Sequence, residues 1–147
     1  MLGKMYPSWI GRTVDGTDSY AGATFTALLM KQSYTWLSTH VFIADMGTAA
    51  NELVIGTGNY QRVTPTGISI SRTGSITTVT FNPIVFHLIT ATGTAAPWSM
   101  ILAKVGPSDA ASPLVLQQDF QAAQSVTNAD ITINASSAGF IRYTSSP

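Results

Sequence analysis

The chain has 147 residues, enough for one domain with one ordinary core. Charged residues make up only 10% and hydrophobic ones 45%, with a formal net charge of +0. That balance argues against a nucleic-acid binder, which needs Lys and Arg to displace counterions from phosphates. The absence of cysteine rules out disulfides, thiolate catalysis and Cys-based zinc sites.

The N-terminal "MLGKMYPSWIGR" lacks the apolar core of a signal peptide. With an initiator Met, this leads to the expectation of a complete chain made in a cytoplasm. No run approaches the ~18 apolar residues of a membrane span, so no membrane is expected. Residues 1–22 contain turn formers and no sustained period, and are predicted to form an extended arm. Tyr6, Trp9, Ile10 and Tyr20 in this arm are the expected partner contact. The alternative is that Trp9 covers the edge of the domain's own core.

Residues 23–147 are expected to form a single β-rich domain. "ATFTALLMKQ" opens with alternation and ends in an apolar run, so helix and strand both fit; the leading Thr and Phe favour a strand. "STHVFIADM" resembles a short helical turn, with Ser38 or Thr39 as its cap. From Gly67 the alternation is plain: "ISISR" and "ITTVTF" flank a short Gly-containing loop and predict a hairpin. "PIVFHLIT" is a further strand. "WSMILAKV" is apolar enough to be central and buried on both faces. "GPSDAASP" has a loop composition, and "LVLQQDFQ", "DITINAS" and "GFIRYT" are three more strands. Seven or eight short strands with regular turns define an all-β class: an antiparallel β-sandwich or barrel-like module with an extended N-terminal arm.

Acid–base and metal chemistry would have to come from His40, Asp45, Glu52 and His87. His40 and Asp45 are five residues apart, a spacing that points them to different faces of a helix. His87 sits in an apolar strand with no local link to His40. There is no G-x-S-x-G elbow and no marked carboxylate pair. The glycines of "GTGNY" lack the strand-to-helix context and the Lys of a phosphate loop. The expectation is therefore no catalytic residue, no cofactor and no metal. In its place stands a structural loop: Thr39 caps the turn, His40 bonds nearby backbone, and Asp45 and Glu52 accept from loop N–H groups or from Arg62. Phe42, Leu53 and Ile55 would pin the loop to the sheet.

"THVFIAD", "NELVIGTGNYQRV", "TVTFNPIVF", "SPLVLQQDF" and "ADITINASSAGFIRYT" occur in this order. Together they resemble a family of small virion structural proteins of tailed bacteriophages, of the minor capsid or head-decoration type. The resemblance spans residues 23–144. It places Thr39, His40, Phe42, Asp45, Asn51, Glu52, Gly56, Gly58, Tyr60 and Arg62 on the family's loop signature. Asn59 is an extra residue within that signature, "YTWLS" replaces acidic residues before it, and residues 1–22 lie outside it. The resemblance implies a decoration (cement) protein in the virion, bound to the major capsid protein and to copies of itself as a trimer. The alternative is a tail or tail-tip module that binds a host surface, with Trp36 and Trp98 stacking on sugar unless both are core.

Overall fold

A computed structural model describes residues 2–74, 76–134 and 141–144. Its strands are β1 (Leu2–Met5), β2 (Phe25–Lys31), β3 (Ser69–Thr73), β4 (Ile76–Thr80), β5 (Ile84–Ala91), β6 (Pro97–Lys104), β7 (Leu114–Asp119), β8 (Val126–Ile133) and β9 (Ile141–Thr144). Two helices join them, α1 (Pro7–Val14) and the single turn α2 (Thr48–Asn51). The strands pair antiparallel in three sheets, ordered β1-β7-β6-β2, β3-β4-β9 and β5-β8. The chain is thus all-β and sandwich-like, as its alternating pattern predicts. The ends of the last two expected strands, residues 135–136 and 139–140, lie outside the described residues.

β6 is the centre of the four-stranded sheet, and its sequence says why. Successive side chains of a strand point to opposite faces. Met100 and Leu102 join Ala27, Leu29 and Leu116 in a larger core, under Val79, Ile84, Phe86, Ile89, Ile131 and Ile133 from the other sheets. Ile101 and Ala103 point the other way, joining Leu28, Met30 and Leu114 in a second core roofed by Tyr6, Tyr34, Ile43 and Met46. A strand buried on both faces must be apolar throughout. Each buried Leu, Ile or Met side chain among them contributes about 1.5–3 kcal/mol by leaving water.

Residues 2–22 do not form an extended arm. β1 pairs with β7 along its whole length, and the Tyr6 N–H donates to Val115 O at 3.1 Å. Pro7 then starts α1 at the first helical position, where its missing N–H leaves no bond unmade. Trp9 is fully buried, and its Nε1 donates to the Tyr20 hydroxyl at 2.6 Å. Its ring meets Tyr20 and Phe25 edge-on, at 5.2 and 6.1 Å between centroids. Tyr6 enters the second core and bonds the Tyr34 hydroxyl at 2.6 Å. Tyr6, Trp9 and Tyr20 are therefore core residues rather than partner contacts, and only Ile10 of the four stays exposed. The physical reason is that folding back removes three aromatic side chains from water and satisfies the strand's backbone groups at once. No domain boundary falls at residue 22.

Candidate functional site

The segment that links β2 to β3 closes the open edge of the four-stranded sheet. Ala27 and Val63 exchange backbone bonds of 2.7 and 3.1 Å, and the Leu53 N–H donates to Leu29 O at 3.1 Å. Within it, Ile43–Met46 forms a 3₁₀ turn. Neither Ser38 nor Thr39 caps it; both are exposed. The cap is Asp45, whose Oδ2 accepts the N–H groups of Val41 and Phe42, each at 2.8 Å. Hydrogen bonds from Phe42 and then Val41 hold its carboxyl below the usual range. Asp45 wins because a carboxylate three or four residues into the turn reaches back to two free N–H groups, whereas a hydroxyl satisfies one. Asn51 Nδ2 donates to Met46 O at 2.7 Å and ties the turn to α2. The His40 ring pairs with the Tyr34 hydroxyl at 3.2 Å, a side-chain partner rather than the expected backbone.

The other half of the segment is clamped by Arg62. Its Nε and one terminal nitrogen donate to the two oxygens of Glu52 at 2.9 and 2.8 Å. The terminal nitrogens also reach both oxygens of Asp109, at 2.7 and 2.9 Å. Glu52 is buried, with its side chain 4% exposed. It also accepts the Tyr60 hydroxyl at 2.7 Å, and that hydroxyl in turn takes the Leu29 N–H at 3.0 Å. Bonds to Glu52 and then Asp109 push Arg62 above its ordinary value, and Arg62 holds Asp109 below the carboxylate range. Burial, then the charge of Glu52, pushes the Tyr60 hydroxyl up. Arg62 is the only basic residue of the segment, so its pairing with Glu52 is readable from sequence. Asp109 is not, because it arrives from the β6–β7 loop, 47 residues away.

The glycines serve backbone geometry. Gly56 and Gly58 have φ of 83° and 55°, in the left-handed region where a Cβ is strained. Gly58 also lies against Thr90, whose N–H donates to Gly58 O at 2.9 Å. The extra residue, Asn59, adopts φ 60° and donates from Nδ2 to Leu88 O at 3.2 Å. Leu53 is buried and pins the segment, and Phe42 is half-buried beside Pro113. Ile55, expected to be a pin, is 50% exposed, and Val54 is 61% exposed. Both line an open groove of about 350 Å³ with Thr48, Ala49, Glu52 and Arg62.

All seven carboxylates of the chain accept hydrogen bonds from the chain itself. Asp15, Asp119 and Asp130 take the N–H groups of Thr17, Gln121 and Leu88. Asp18 is buried between Arg12 and Lys104. Glu52, Asp109 and Asp45 are engaged as above. Among the described residues no group of three or more His, Asp and Glu is placed to hold a metal ion. His87 is exposed and pairs with Asp130 at 3.2 Å. Trp36 and Trp98 are both half-buried. The Trp36 ring packs on Tyr6, with Lys4 Nζ 5.4 Å from its centroid.

Fold and site together define an antiparallel β-sandwich-like module with a charge-clamped loop on one sheet edge. No family model, no curated protein and no solved structure matches the chain.

Proposed function

We propose that this chain is a virion structural protein of a tailed bacteriophage, a decoration subunit that binds the outside of the capsid and copies of itself. One observation carries the reading: the Arg62 clamp fixes the loop from Glu52 to Arg62 while Val54 and Ile55 within it remain exposed. Groups fixed before binding lose little conformational entropy on binding. Apolar area buried against such residues is worth about 25 cal/mol per Å². Repeated at every site of a shell, even a small contact adds up. The carboxylates are engaged by their own chain, which supports a scaffold over a reaction centre. A net charge of +0 suits a subunit held in an assembly, since it offers little repulsion between copies. The capsid contact moves from the N-terminal aromatics, which are core, to Val54 and Ile55.

The test has two parts. Quantitative mass spectrometry of purified virions should count hundreds of copies, in simple ratio to the major capsid protein. A Val54→Asp/Ile55→Asp variant should fold yet fail to bind undecorated shells. A handful of copies per particle would move the protein to the tail, and absence from the particle would end the virion reading.

A further inference from the structure

We propose that β3 is a self-association edge, at which two copies pair their β3 strands antiparallel about a two-fold axis through Ser71. An edge strand directs alternate N–H and C=O groups away from its sheet and is a template for another strand unless something blocks it. Among residues 2–134 the other edges are blocked. β2 is covered by the backbone bonds of Leu53 and Val63. β5 and β8 are broken by register shifts, with Leu88 and Asn128 both at φ 49°. β1 is four residues long and carries Gly3 and Lys4.

Among the described residues β3 is neither covered by another segment nor broken in register. It pairs with β4 in unbroken register from Ser69↔Thr80 to Thr73↔Ile76, with no proline and no bulge. Ser69, Ile70, Ser71 and Thr73 are all exposed, Ile70 by 47%. No described residue pairs with its outer side.

The occupant best matched to this edge is the same edge of a second copy. Antiparallel pairing of identical strands is self-complementary, as an isologous contact requires. An axis at Ser71 sets Ile70 opposite Arg72 and Ser69 opposite Thr73, so no charged residue faces its own equivalent. Five paired residues fall short of a standard interface, so the contact is concentration-dependent and strengthens where copies are crowded. It stands whether or not the chain decorates a capsid.

The chain's lack of cysteine makes the test direct. Facing Cα atoms in an antiparallel pair lie about 4.5–5.5 Å apart, within the span of a disulfide. Under mild oxidant, Ser71→Cys should form a covalent dimer at least about tenfold faster than Thr127→Cys, an exposed position on β8. Sedimentation velocity of the unmodified protein should show dimer growing with concentration, and Ser71→Lys should abolish it. Equal oxidation rates at residues 71 and 127, or self-association indifferent to Ser71→Lys, would overturn the proposal. So would an unmodified chain that stays monomeric at every concentration, which would leave the edge to a strand of another protein.

Discussion

Arg62 grips Glu52 side-on, Nε and a terminal nitrogen each donating to one carboxylate oxygen at 2.9 and 2.8 Å. The same guanidinium holds Asp109, so one cation ties the β2–β3 segment to the β6–β7 loop. The desolvation of Glu52 is offset by this fork and by the Tyr60 hydroxyl together.

Removing the cation should therefore be costlier than its own packing suggests. Arg62→Ala leaves Glu52 buried with only Tyr60 as a partner and is expected to destabilise the fold by about 3 kcal/mol. Arg62→Lys should recover only part of this, because an ammonium cannot make the fork. Urea unfolding of both variants measures the difference, and an Arg62→Lys protein as stable as the unmodified one would show that the geometry of the fork is immaterial.

The two signature glycines are expected to differ. A Cβ on Gly58 would sit 2.1 Å from Thr90 O, whereas one on Gly56 meets nothing within 4 Å. Gly56→Ala carries only the left-handed penalty of about 1–2 kcal/mol. Gly58→Ala adds a backbone clash and should lose about 3 kcal/mol or more. Thermal melts of the pair decide it.

Stability should fall at both pH extremes. Asp109 is lowered by Arg62, and Asp45 by the N–H groups of Phe42 and Val41. At Asp18, burial opposes the shift and is outweighed by Lys104 and Arg12. Carboxylates lowered in the folded state stabilise fully above their unfolded value of about 3.9, and that gain is lost as the pH falls through the folded values. Tyr6 and Tyr60 are raised chiefly by burial. Their contribution is complete below about pH 10 and is lost as the unfolded chain ionises above it. Melting temperature against pH should be flat between the limbs. Tyr60→Phe should lower the whole curve, because it strands the Leu29 N–H, but should soften the alkaline limb.

The N-terminal segment should prove indispensable to folding. Trp9→Ala removes a fully buried ring, for an expected loss of about 3–5 kcal/mol. Deleting residues 1–20 exposes the β7 edge and both cores, and circular dichroism should show an unfolded chain. A truncated protein with a cooperative native-like melt would restore the arm reading.

Val54→Asp and Ile55→Asp, by contrast, should each change stability by no more than about 0.5 kcal/mol, as exposed substitutions do. Any loss of shell binding by these variants is then a loss of contact rather than of fold.

Most strands were legible in the sequence because a half-buried strand repeats every second residue. The hairpin around Gly74 shows that rule directly, whereas β6 was legible as an apolar run, the mark of a strand buried on both faces. The loop signature was legible as scaffold, since Arg62 had Glu52 within its own segment. Asp45 was legible as an acceptor of loop N–H groups; the misplaced role was the cap, which falls to Asp45 at Val41 and Phe42 rather than to Thr39. β1 and α1 were not legible. Four residues are too few to display a period, and Gly11 and Thr13 dilute the helical signal of α1.

By itself the sequence determined where most of the strands run and that β6 lies at the centre, because pattern and composition are local properties. Only the tertiary structure decided that Trp9 and Tyr20 face inward, that Asp109 completes the Arg62 clamp, and that Val54, Ile55 and the β3 edge are left open. Those outcomes turn on which distant surfaces meet, and a Trp or an Ile has the same affinity for its own core as for a partner's.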